Sequence, residues 1–94
     1  MKEIVRTDHL KLRLKVRKIP KQYPDVIYRS PEQRYFDVLE KAFINIKKLR
    51  YNNKLRNMMI AYEEKDDKVE IITIHPVRDE QIINRVIRGR WIKK

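Results

Sequence analysis

The sequence predicts an α+β domain with two N-terminal helices, a four-stranded antiparallel meander sheet and a C-terminal helix. Three observations carry this. From Arg34 onward the apolar pattern changes from helical spacing to the alternation and the aromatic, β-branched composition of strands. The pairs Asn52-Asn53 and Asp66-Asp67 fall where tight turns would reverse such strands. Beyond Pro76, Ile82, Ile83, Val86 and Ile87 recur at the spacing of one helix face.

Ninety-four residues suit one domain, because a much smaller unit would bury too little apolar surface to offset the entropy of ordering its chain. Within residues 1–94 there is no repeat, low-complexity run or Gly/Ser linker. The first segment reads two ways. Leu10, Leu12, Leu14 and Val16 alternate like a strand, whereas Thr7 or Asp8 offers a cap and His9, Leu12, Val16 and Ile19 fall at helical spacing. Helix is favoured, and Pro20 closes it. Pro24 opens a second short helix through Asp25, Val26, Ile27 and Tyr28, ended by Ser30-Pro31. Strands are expected near 34–39, 42–51, 55–63 and 68–75, joined by connections too short for parallel crossovers. Asp79 and Glu80 then favour a helix start, and Gly89, the only glycine, stops that helix.

If both hairpins turn in two residues, the register follows, because paired residues point to the same side of a sheet. One face then carries Ile44, Ile46, Met59, Ala61, Ile72 and Ile74, and is expected to hold the helices. The other mixes Phe43, Leu49, Met58, Ile60, Tyr62 and Ile71 with Asn45, Lys47, Arg56, Thr73 and His75. Such a half-apolar, half-basic face would seat a ligand or the partner of a homodimer.

Lys plus Arg outnumber Asp plus Glu by 24 to 13, a formal net charge of +11 on a small domain, so polyanions are the natural partners. RNA is the leading expectation, and an acidic protein is the competing one. The usage, rich in Lys, Glu, Arg and Ile, also resembles that of thermophile proteins, which explains many charges but not their positive excess. No apolar run approaches the length of a bilayer span, nothing in residues 1–6 reads as a secretory signal, and no membrane partner is expected. Without cysteine there is neither a disulfide framework nor a thiolate metal site, and the cytoplasm is the expected compartment. No cofactor is expected, since one glycine cannot build a phosphate-cradling loop and no paired carboxylate or His-Glu-x-x-His pattern appears.

Arg78, Gln81, Arg85 and Arg88 recur every three to four residues opposite the aliphatic stripe of the last helix, giving a basic ridge that Arg90, Lys93 and Lys94 extend. Guanidinium groups grip phosphates two-handedly and track a backbone without reading its sequence. A solvated helix face is the plainer account of any one of these arginines. Trp91 could stack on a base, although a lone Trp after a helix more often completes a small core. His9 and His75 are the side chains suited to proton transfer near neutrality. Metal-free RNA cleavage needs a base, an acid and cations around the phosphorane. His75 with Lys47, Arg56 and Thr73 on its expected face could supply that set.

The run Thr7-Asp8-His9, Leu12-Arg13, Arg17-Lys18-Ile19-Pro20, Ser30-Pro31, the strand from Asn57 to Glu63 and Ile71-Ile72-Thr73-Ile74 resembles a family of small uncharacterised domains. That family is allied to the RelE/ParE and barnase-like toxin folds, many of whose members are ribonucleases paired with an antitoxin. The resemblance spans about residues 7–76 and implies a helix-helix-four-strand-helix order. By position, His9 and Arg13 match the family's helix residues and Thr73 its final-strand threonine. It implies a toxin-like domain that binds RNA, a metal-independent ribonuclease activity, and an acidic antitoxin as partner. The Arg-Gly-Arg-Trp tail lies outside it.

Overall fold

The computed structural model describes residues 2–94. The chain runs through β1 (Glu3–Arg6), α1 (Asp8–Val16), α2 (Tyr23–Arg29), β2 (Gln33–Asp37), β3 (Ala42–Tyr51), β4 (Lys54–Glu64), β5 (Lys68–Pro76), α3 (Asp79–Ile87) and β6 (Trp91–Lys93). Six strands form one mixed sheet in the order β1-β5-β4-β3-β2-β6. This corrects the expected four-stranded antiparallel meander behind two N-terminal helices. A strand comes first, lying parallel to β5, and a sixth strand folds back antiparallel on β2. Both added strands are short and pair with segments remote in sequence, so neither shows a period or a local turn to read.

Helix α1 starts where the sequence offers its cap. The Thr7 hydroxyl accepts the Leu10 N–H at 3.1 Å and also lies 3.2 and 3.1 Å from the carbonyls of Ile71 and Ile72. One side chain thus satisfies an orphan helix donor and ties the helix entry to β5. Leu10 and Leu14 are buried below it. Pro24, in the first turn of α2, removes a donor that would have had no helical partner.

The β3–β4 hairpin has the expected two-residue turn, with Tyr51 opposite Lys54 and both Asn52 and Asn53 left-handed, at φ 53° and 63°. The β4–β5 register starts as expected, with Tyr62 opposite Ile71, but Ala61 then pairs with Thr73. Ile72 is therefore the extra residue of a β-bulge, and every later β5 side chain changes sides. Ile74 joins the face of Met58 and Ile60, while Thr73 and His75 join that of Ala61 and Met59.

Helices cover both faces, which corrects the expectation that the aliphatic face alone would hold them. The mixed face packs α1 and α2 in a core that includes Leu10, Leu14, Ile27, Met58, Ile60, Tyr62, Ile71 and Ile74. Its buried Asn45 sends its amide to the carbonyls of Ile27 and Tyr28 at 3.4 and 3.3 Å, which is how a polar residue survives under a helix. With two helices on it, most of that face is closed to a second copy of the chain. The opposite face buries Tyr35, Ile44, Ile46, Met59, Val77, Ile82 and Trp91 beneath and around α3. Of the aliphatic stripe on α3 only Ile82 is buried; Ile83, Val86 and Ile87 stay exposed. Among the described residues no helix is long and apolar enough to cross a membrane.

Candidate nucleic-acid interface

Strand β1 pairs with β5 only as far as Ile71, and α1 runs beside the remaining stretch of β5. The bulge at Ile72 turns Thr73 and His75 toward the α3 side of this edge. On α1 and at its C-cap, His9, Arg13 and Arg17 follow one another at intervals of four and form one stripe, with Arg13 Nε donating to His9 Nε2 at 3.3 Å. From the other side Arg85 reaches in from α3, its guanidinium 5.0 Å from the Trp91 ring centroid.

His75 lies within the positive field of Arg13, Arg17 and Arg85. Burial pushes its ionisation below the usual 6.5, and the positive charges of Arg17, Arg85 and Arg13 push it further the same way, against the raising effect of its contact with the Pro76 carbonyl. Its Nδ1 lies 3.0 Å from that carbonyl oxygen. A carbonyl only accepts, so the neutral ring carries its proton on Nδ1 and leaves the Nε2 lone pair free. The arrangement is a base held toward its neutral form in the field of three cations, Arg13 of α1, Arg17 at its C-cap and Arg85 of α3.

Arg85, Arg88 and Arg90 continue the positive surface along α3, where they line a cleft with Gln81 and Asn84. Arg90 is partly engaged, since its Nε lies 3.2 and 3.1 Å from the two carboxylate oxygens of Asp37. Trp91 is 1% exposed and donates its indole N–H to Asp37 at 3.0 Å, so it serves as the floor under Arg85 and offers no ring face to a base. None of Arg13, Arg17, Arg85 and Arg88 forms a salt bridge among the described residues, so four cations stand unneutralised in one belt.

The chain matches no protein-family model, no curated protein and no solved structure. The chemistry of the site therefore rests on its own residues.

The bulge separates residues that the sequence placed together. Lys47 and Arg56 remain on the α1/α2 side, across the sheet from Thr73 and His75. Arg56 donates its Nε to the Tyr51 carbonyl at 3.1 Å and so braces the hairpin. Arg78 is exposed at the start of α3, 4.0 Å from Glu80, in a shallow depression that Arg56 also lines. The belt instead assembles His9, Arg13, Thr73, His75, Arg85 and Arg88, together with Arg17, to which sequence reading assigned no role. The signal for Arg17 was its interval of four from Arg13 and of eight from His9. Among the described residues no group of three or more His, Asp or Glu side chains could hold a metal ion.

Proposed function

We propose that the protein binds RNA along the cationic belt that runs from α1 over the edge of β5 to α3. The observation that carries this reading is that Arg13, Arg17, Arg85 and Arg88 form no salt bridge among the described residues, while the positive charges of Arg17, Arg85 and Arg13 all bear on His75. Cations gathered without carboxylates repel one another in the free protein, and a bound phosphate relieves that repulsion. Arginine also forks onto phosphate oxygens, so a belt of arginines grips a backbone whatever its sequence. The expected setting is the cytoplasm, and an acidic antitoxin of the kind the toxin resemblance implies would cover the same belt.

A second reading, metal-independent cleavage, is favoured by the free Nε2 of neutral His75. It would take the proton of a ribose 2′-hydroxyl as the 2′-oxygen bonds to phosphorus. The bond from phosphorus to the 5′-oxygen then breaks, that oxygen takes a proton from water, and a 2′,3′-cyclic phosphate remains. Arg13, Arg17 and Arg85 would bear the added negative charge of the phosphorane.

The test uses a 5′-labelled RNA with EDTA present, read for binding by anisotropy and for cleavage on a gel over a salt series. Arg17→Gln and Arg85→Gln are expected to weaken binding, and His75→Ala to abolish cleavage while leaving binding within a fewfold of wild type. Binding that ignores both arginine substitutions would overturn the belt. Binding without cleavage would leave a non-catalytic module.

A further inference from the structure

The sheet carries a second surface on its other side. Strand β6 forms its edge, next to β2, while α2 packs over β4 and β3. Phe36 on β2 stands opposite Phe43 on β3 and Ile92 on β6, and Phe43 stands opposite Tyr62 on β4. Directly paired residues share a face, so these four side chains form one row across the sheet.

The row is a chain of ring contacts. Tyr28 of α2 meets Tyr62 edge-on at 5.1 Å, Tyr62 stacks with Phe43 at 5.5 Å and 21°, and Phe43 meets Phe36 at 5.1 Å and 68°. Its inner end is held rigidly, because the Tyr62 hydroxyl donates to Asn45 Oδ1 at 3.2 Å and the Asn45 amide is anchored to α2. Its outer end is open: Phe36 and Phe43 are half-buried, and Ile92 beside Phe36 is 50% exposed. Cations flank it. Lys94 Nζ lies 5.7 Å from the Phe36 ring centroid, and exposed Arg29 and Arg34 line a depression with Tyr28, Asn45 and Tyr62 in which Glu64 is the one acidic residue.

We propose that this Phe36/Phe43 surface is a stacking platform for the bases of single-stranded RNA, with Arg29, Arg34 and Lys94 meeting the phosphates between them. The proposal rests on the RNA reading above and gives it a substrate class, unpaired strand. Rings supply faces for bases of any identity, and the cations supply the backbone contact that an aliphatic protein partner would not need. The two surfaces are continuous. Strand β6 is the sheet edge, and its residues alternate sides, so Trp91 lies with Arg85 and Arg90 while Ile92 and Lys94 lie with Phe36. A strand leaving the belt at Arg88 and Arg90 can turn around β6 onto the platform.

The test compares an intact single-stranded hexanucleotide of RNA with an abasic strand of equal length and charge, by anisotropy and by the ring-proton resonances of Phe36 and Phe43. Phe36→Leu with Phe43→Leu is expected to weaken the intact strand by about ten- to a hundredfold, on the scale of one or two lost base stacks, and to leave the abasic strand unchanged. Arg34→Gln with Lys94→Gln, at exposed positions that spare the core, is expected to weaken both strands. Upfield shifts of both rings should accompany binding of the intact strand alone. If the phenylalanine variant binds both strands as wild type does, the platform is wrong, and the belt stands provided Arg17→Gln still weakens binding. If Arg17→Gln and Arg85→Gln change nothing while the phenylalanine variant loses the intact strand, the belt is wrong and the platform stands.

Discussion

Removing the Asp37 carboxylate should show how far the belt depends on the protein's interior. The side chain is 3% exposed, and it accepts the N–H groups of Leu39 and Glu40 at 3.0 Å, the indole N–H of Trp91 at 3.0 Å and the Arg90 Nε on both oxygens. Hydrogen bonds to a charged acceptor are worth about 1.5–3 kcal/mol each, and a buried donor left unpaired costs about 1–3 kcal/mol. The Arg90 guanidinium is a third exposed and regains water when released, so its share is discounted. Asp37→Ala should then lose about 3–4 kcal/mol, carried mainly by the stranded Trp91 donor and the two loop amides. Asp37→Asn keeps one acceptor oxygen and should lose about 1–2 kcal/mol. Urea denaturation reads both as a fall in midpoint at constant slope. The reasoning is refuted if the alanine variant stays within about 1 kcal/mol of wild type, which is the loss expected of an ordinary surface substitution or less.

Acid titration gives an independent check. Burial alone would raise the Asp37 carboxyl, but the Glu40 amide, Arg90 and Trp91 outweigh it and hold it below 3.8. The folded value is thus lower than the unfolded one, so its contribution is complete at neutral pH and is lost as pH falls through the folded value. The asparagine variant should show a flatter acid limb. Because Arg85 stacks on Trp91, the alanine variant should also weaken RNA binding although it touches no RNA.

Further outcomes are equally open to measurement. His75 has a depressed ionisation, so the stability from its neutral form is complete above the usual 6.5 and is lost as pH falls through the lower folded value; His75→Gln should remove that dependence between pH 7.5 and 5 in thermal melts. Arg17→Gln should lower the slope of log affinity against log salt for a single-stranded RNA by about 0.7, and no change in slope would place Arg17 outside the interface. Asn53→Gly should hold or raise the melting temperature, since φ is 63° there, whereas Asn53→Val should cost about 1–2 kcal/mol in urea.

Much of the fold could be read along the chain wherever the cause was local. Thr7 caps α1 because its own hydroxyl reaches the Leu10 amide, Asn52-Asn53 turns because both residues tolerate the left-handed region, and Gly89, at φ 76°, follows α3. The β3–β4 register followed from that turn alone. The first segment carried both a strand-like and a helical pattern, with helix favoured, and it is a helix whose Leu10 and Leu14 pack in the core with residues of β5. For the candidate site, the two histidines, Arg13, Arg85 and Arg88 were singled out from the sequence as candidates for contact with RNA. Their grouping was not, because Lys47 and Arg56 shared their expected face only while the β5 register ran unbroken.

By itself the sequence determined the positive excess, the cap of α1 and the turns, because charge, capping and left-handed residues act within a few positions of one another; it did not determine the buried helix faces, since α1 buries Leu10 and Leu14 and leaves Leu12 and Val16 exposed. Tertiary structure alone decided that β1 lies parallel on β5, that Trp91 is buried against Asp37, and that one extra residue at Ile72 carries His75 across the sheet. Each depends on contacts between segments more than ten residues apart, and in a sheet with a period of two a single inserted residue reverses every side chain that follows it.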